Sequence, residues 1–67
     1  MSLEPITIVG LSATGSMTGN ATSVIDAIRI GRRLRLGGAR RIVVRHADRE
    51  WGLDYFERLH PTQAREA

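Results

Sequence analysis

The sequence contains no cysteine and no lysine, only three aromatic residues and no long apolar run. Without cysteine, neither disulfides nor thiolate zinc sites can stabilise the chain, and its 67 residues can bury only a small apolar core. We therefore expect self-association, in a protein that resides in the cytoplasm. A bilayer span needs about 20 apolar residues, so no membrane segment is expected. The start of the chain has Glu4 where a signal peptide has basic residues, which predicts no secretory leader.

The first third of the chain predicts one strand and a polar connection. Residues 6–11 are rich in β-branched side chains and carry apolar residues on both faces, which is typical of a strand interior to a sheet. Residues 12–20 are small and polar with two glycines. They predict either a loop or a turn at 13–15 with a weak return strand around 16–18.

The clearest helix signal covers residues 22–36. Ser23 is a suitable N-cap, and Asp26 three residues later favours the positive helix N-terminus. Gly37 and Gly38 predict the end of the helix, because one of them can adopt the left-handed conformation. On the apolar side, Gly31 would allow a neighbouring strand to approach closely.

The second half of the chain predicts a β-hairpin. Residues 40–46 and 51–57 are the two strands, and Trp51, Leu53 and Tyr55 alternate on one face. If the strands at 6–11 and 40–46 pair in parallel, the helix forms a right-handed crossover between them.

These elements predict an α+β fold, in which one amphipathic helix packs on a short sheet that ends in a hairpin. The order is β-α-β-β in one domain over 1–67, with 1–4 as a flexible tail and 61–67 as a tail or one helical turn. The predicted core is Val24, Ile28, Leu34, Ile42, Val44, Trp51 and Leu53.

Neither of two ligand patterns is convincing. Gly10 and Gly15 have the spacing of a phosphate loop, but the lysine that should follow is absent. His46, Asp48 and Glu50 alternate and could bind a metal with His60, but they fall where the hairpin must turn. No recognisable catalytic motif is present. We therefore expect no enzyme, no metal and no cofactor.

Arginine is the strongest signal, since seven of the ten lie between residues 29 and 45 with no acid among them. Arginine binds phosphates and guanine edges through its planar fork. One hypothesis is therefore an anionic partner bound by Arg29, Arg32, Arg33, Arg40 and Arg41 on a continuous basic surface. Two plainer explanations remain open, namely the codon usage of a GC-rich genome and neutralisation by the acids of the C-terminal part.

Two functions are consistent with this pattern. The first is a small protein-binding module that acts as an oligomer, such as an inhibitor, an adaptor or a phage-type assembly subunit. Its partner or dimer surface would contain Ile25, Ile30 and Phe56, which lie off the predicted buried stripe. The alternative is a small regulatory protein that binds duplex nucleic acid, because exposed aromatic residues for stacking on single strands are scarce.

Overall fold

The computed structural model describes residues 4–67, which form an antiparallel sheet with three helices. In chain order the elements are β1 (Ile6–Ser12), β2 (Gly15–Ala21), α1 (Val24–Leu36), β3 (Arg41–His46), β4 (Arg49–Gly52), α2 (Leu53–Leu59) and α3 (Pro61–Glu66). The strands lie in the order β2-β1-β3-β4. The α+β class with a hairpin, here β3-β4, is confirmed. Apart from Glu4, the tail predicted at 1–4 lies outside the described residues.

β1 and β2 form a hairpin that the sequence indicated only weakly. The strands pair over their whole length, from Ile6 opposite Ala21 to Ser12 opposite Gly15. Of the two alternatives predicted for residues 12–20, the turn with a return strand is therefore present, although the strand is longer than predicted. The other alternative, a loop, is wrong. Glycine, serine and asparagine have low strand propensity. Pairing with the apolar β1 therefore accounts for the conformation of β2.

β1 and β3 pair antiparallel, with Ile8 opposite Val44, so the predicted parallel pairing is wrong. The physical reason is the additional strand. β2 returns the chain to the end of the sheet at which β1 begins, and α1 starts there. α1 then carries the chain to the opposite end, from which β3 must run against β1.

α1 begins and ends close to the predicted residues. The Ser23 side chain accepts a hydrogen bond from the Asp26 N–H at 3.2 Å, which caps the first turn. Gly38 has φ +106°, and the Ala39 N–H donates to the Leu34 carbonyl at 3.0 Å. Together they close the helix in a Schellman motif. Both predicted caps are therefore confirmed.

The strand predicted at 51–57 is wrong after its second residue. β4 ends at Gly52, and α2 begins at Leu53. Leu53 and Phe56 are buried while Tyr55 is 55% exposed, which is helical spacing rather than alternation. Leu53, not a strand, approaches Gly31, where an added Cβ would lie 2.7 Å from a Leu53 methyl.

The core lies between the helices and one face of the sheet. Of the predicted core residues, Ile28, Ile42, Val44 and Leu53 are buried; the other three, Val24, Leu34 and Trp51, are only partly buried against it. Six further buried residues were not in the predicted core, namely Ile6, Ile8, Ala21, Ala27, Ala39 and Phe56.

Of the two alternatives for 61–67, a tail or one helical turn, the structure has the helical one, and α3 begins with Pro61 in its first turn. Ala64 and Ala67 pack against the core. Within residues 4–67, none of the helices has the length and apolar composition of a bilayer span.

Candidate interaction surface

The helices pack on one face of the sheet and leave the other face uncovered by any element of residues 4–67. The covered face carries the buried Ile6, Ile8, Ile42 and Val44. Because side chains alternate along a strand, the residues between them point away from the helices. We call this outward surface the open face, formed by Thr7, Val9, Leu11, Ser16, Thr18, Asn20, Arg41, Val43, Arg45 and Glu50.

The open face has an apolar centre and a polar rim. Val9 lies opposite Val43 in the two central strands, and both are half-buried. Leu11 is 41% exposed at the end of the same strand. Thr18 pairs with Val9 from the β2 side. An apolar patch within a polar surround is the usual anatomy of a protein-binding surface.

The charges of the open face leave a net positive group beside Leu11. The Arg45 Nε lies 2.9 Å from the Glu50 Oε1, so that pair is internally neutral. Arg41 lies opposite Leu11 in the β1–β3 ladder and is exposed. Among the described residues Arg41 has no carboxylate within 4.0 Å. The surface therefore favours a partner that combines apolar and acidic groups.

The five arginines of the predicted basic surface do not lie on one face. Arg29 and Arg33 are on the solvent side of α1, whereas Arg41 projects from the opposite face of the sheet. Arg40 precedes β3, and its N–H donates to the Leu11 carbonyl at 2.8 Å. The remaining one, Arg32, is half-buried between helices. These five arginines therefore do not form a single continuous basic surface.

Arg32 joins the three helices through one guanidinium group. Its Nε donates to the Glu57 Oε1 at 3.0 Å. Its two terminal nitrogens donate to the carbonyls of Ala64 at 2.8 Å and Ala67 at 3.2 Å. Ala64 lies in the last turn of α3 and Ala67 is its C-cap, where backbone acceptors have no helical partner. Arg32 is thus committed to contacts within the chain.

Two further arginines of the 29–45 segment also pair within the chain. The Arg35 Nη2 lies 2.9 Å from the Asp54 Oδ1. The Arg29 Nη1 is 4.0 Å from the Asp26 Oδ1, at the outer limit for an ion pair. All four groups are at least half exposed, so these pairs contribute little stability. Neutralisation by the acids of the C-terminal part, one of the two plainer explanations, therefore applies to Arg32, Arg35 and Arg45. It does not apply to Arg29, whose partner Asp26 lies in α1.

The residues predicted for a partner or dimer surface also lie in different parts of the structure. Phe56 is 3% exposed, with its ring centroid 5.6 Å from that of Trp51, so its expected exposure is wrong. Ile30 packs over Gly19 of β2. Ile25 is five positions away, which places it about 140° around α1 from Ile30 at 100° per residue. These three side chains therefore form no shared surface.

Within the described residues, the glycine and histidine patterns are not arranged as a phosphate loop or as a cluster of metal ligands. Gly10 is buried in β1 against Ala39 and Leu34, and Gly15 begins β2, so no phosphate loop connects them. Asp48 lies in the β3–β4 turn, and Glu50 pairs with Arg45. Within residues 4–67, no three His, Asp or Glu side chains are grouped to hold a metal ion.

Sequence reasoning missed Val9, Leu11 and Val43 as site residues. The signal for them is the apolar character of both faces of residues 6–11, which predicts a strand covered on both sides, whereas only one side is covered within residues 4–67. No protein-family model matches the sequence, and no curated protein or solved structure matches it either.

Proposed function

We propose that this chain is a small non-enzymatic protein-binding module, which acts as an oligomer and binds its partner protein on the open face. The observation that carries the proposal is that the helices occupy only one face of the sheet, while the other presents Val9, Val43 and the exposed Leu11. An antiparallel sheet can leave one face in water. The side chains on a water-facing side of a sheet are normally polar, however, whereas the centre of the open face is apolar.

Arg41 indicates the chemistry of the partner. No carboxylate of residues 4–67 compensates its charge beside Leu11, so the complementary surface carries a carboxylate next to apolar side chains. Arg33 and Arg40 also have no ion pair among the described residues. Arg33 and Arg41 lie on opposite sides of the molecule, so they cannot both contact a duplex nucleic acid at a single interface. Their separation favours a protein partner.

Selection of peptides from a displayed random library against the immobilised protein tests the proposal. We expect enrichment of peptides in which acidic and apolar residues are adjacent. Leu11→Ser and Arg41→Gln should each weaken the binding of a purified, selected peptide about tenfold, or about 1.4 kcal/mol. Fluorescence anisotropy with labelled peptide provides the measurement.

Matched controls are available on the other side of the molecule. Leu59 is 46% exposed on α2, close to the 41% of Leu11. Arg65 is an exposed arginine that has no ion pair within residues 4–67. Leu59→Ser and Arg65→Gln should leave the affinity unchanged. If the Leu59 variant loses binding and the Leu11 variant retains it, the partner surface is the α2 side and the proposal is wrong.

A further inference from the structure

The two edges of the sheet differ in how well they are protected. β4 has four residues, two of them charged (Arg49 and Glu50), and it runs directly into α2. β2 has seven residues without a charge or a proline. Among the described residues, no element lies beyond β2 at its outer edge. Natural sheets usually protect such edges with charge, proline or short length, so β2 is an edge open to pairing.

The outer edge of β2 presents unpaired backbone groups at alternate positions. The Leu11 carbonyl accepts the Arg40 N–H, so this carbonyl points toward β3. By alternation, the even-numbered residues of β1 direct their N–H and C=O groups to β2. Their partners are the odd-numbered residues of β2. The backbone groups of Ser16, Thr18 and Asn20 are therefore those that face outward.

We infer that a second copy of this chain pairs with this edge, β2 against β2 about a two-fold axis at Thr18. Thr18 would lie opposite Thr18 of the second copy, and Ser16 opposite Asn20. Each opposed pair can exchange two hydrogen bonds. The side chains are small and uncharged, so no like charges meet. The two sheets become one continuous sheet, and the two open faces lie side by side.

Charge complementarity on α1 favours a second copy over an unrelated strand. Ile30 lies over β2, since an added Cβ on Gly19 would be 2.7 Å from its Cγ2. At 100° per residue, Asp26 and Arg33 lie within about 60° of Ile30 around the helix. They occupy opposite ends of the same flank. A two-fold axis reverses α1, which brings Asp26 of each copy toward Arg33 of the other.

Cross-linking tests the pairing cleanly because the chain has no cysteine. Directly opposed residues have Cα atoms about 5.5 Å apart, which is within the range of a disulfide. Under mild oxidation, Thr18→Cys should form a disulfide-linked dimer. Thr14→Cys, exposed in the β1–β2 turn, is the matched control and should remain monomeric. Equal cross-linking of the two variants would overturn the inference.

Sedimentation equilibrium supplies the independent measurement. The parent chain should sediment as a dimer at micromolar concentration. Thr18→Lys would place two ammonium groups directly opposite each other and should raise the dimer dissociation constant at least tenfold, while Thr14→Lys should not. A parent chain that is monomeric at about 0.5 mM would overturn the inference. This inference rests on the proposed function only in the claim that the chain forms an oligomer. A monomeric chain that still binds the selected peptides would therefore overturn the pairing of β2 and leave the open-face proposal standing.

Discussion

Replacing Gly31 with alanine tests the contact between α1 and α2. An added Cβ would lie 2.7 Å and 3.0 Å from the two methyl carbons of Leu53. Both distances are well below ordinary carbon–carbon contact, about 3.5–4.0 Å. Leu53 is 2% exposed and packed in the core, so its methyl groups cannot move into solvent. The variant therefore over-packs the junction between the helices.

Two opposing effects determine how much Gly31→Ala changes the free energy of unfolding. Alanine improves the helix by about 1 kcal/mol relative to glycine. Insertion of a methyl group into a packed core costs about 1–3 kcal/mol, and two contacts this short place Gly31→Ala toward the upper end. The net expectation is a loss of about 1–2 kcal/mol in the free energy of unfolding. In a domain of this size, each kcal/mol lowers Tm by about 4–8 °C.

Thermal unfolding followed by circular dichroism measures this loss. Gly37→Ala is the matched control, because its added Cβ would meet only backbone oxygens at 3.5 Å; its Tm should change little. In a Leu53→Ala background, which itself should cost about 2–5 kcal/mol, Gly31→Ala should become neutral or stabilising. If Gly31→Ala melts at or above the parent temperature, the close approach of the helices is refuted.

Three further predictions concern single side chains and salt. Arg32→Gln should lower the free energy of unfolding by about 1–2 kcal/mol, a value reduced for its partial exposure, whereas Arg33→Gln should stay within about 0.5 kcal/mol in urea titration; equal effects would contradict the role of Arg32 between the helices. Ala47 has φ 54° in the left-handed region, so Ala47→Gly should stabilise the β3–β4 turn by up to about 1 kcal/mol, and a lower Tm would count against that backbone. Duplex DNA binding should show a log–log salt slope no steeper than about −2, since the unpaired arginines face different directions, and a slope of about −4 to −5 in a filter-binding titration would restore the nucleic-acid hypothesis.

The elements that the sequence predicted are those specified by local interactions. α1 has its cap at Ser23 and its left-handed glycine at Gly38, both within one turn of the helix. The centre of β3, residues 42–44, is a run of β-branched residues. β2 could only be suspected, because its small polar residues become a strand through pairing with β1. α2 was missed because seven residues containing Leu53, Tyr55 and Phe56 satisfy both strand and helix spacing.

The candidate site was less predictable than the fold. The sequence shows how many arginines there are, but not which carboxylates they meet. Arg32 pairs with Glu57 and with carbonyls at the end of α3, a segment for which the sequence left a tail and one helical turn open. The separation of Arg33 from Arg41 follows from the side of the sheet on which α1 packs. Tertiary arrangement, rather than local propensity, therefore determines which charges remain available.

The antiparallel pairing of β1 with β3 has a consequence for how the chain folds. The two hairpins and α1 each join residues that are close in sequence, so they can form early with little loop-closure entropy. Only the ladder of Ile8 with Val44 and its neighbours joins the two halves of the sheet. Because non-local pairing slows folding, we expect docking of the two hairpins across β1 and β3 to set the folding rate. We therefore expect the two central strands to govern the folding kinetics of the domain as well as its architecture.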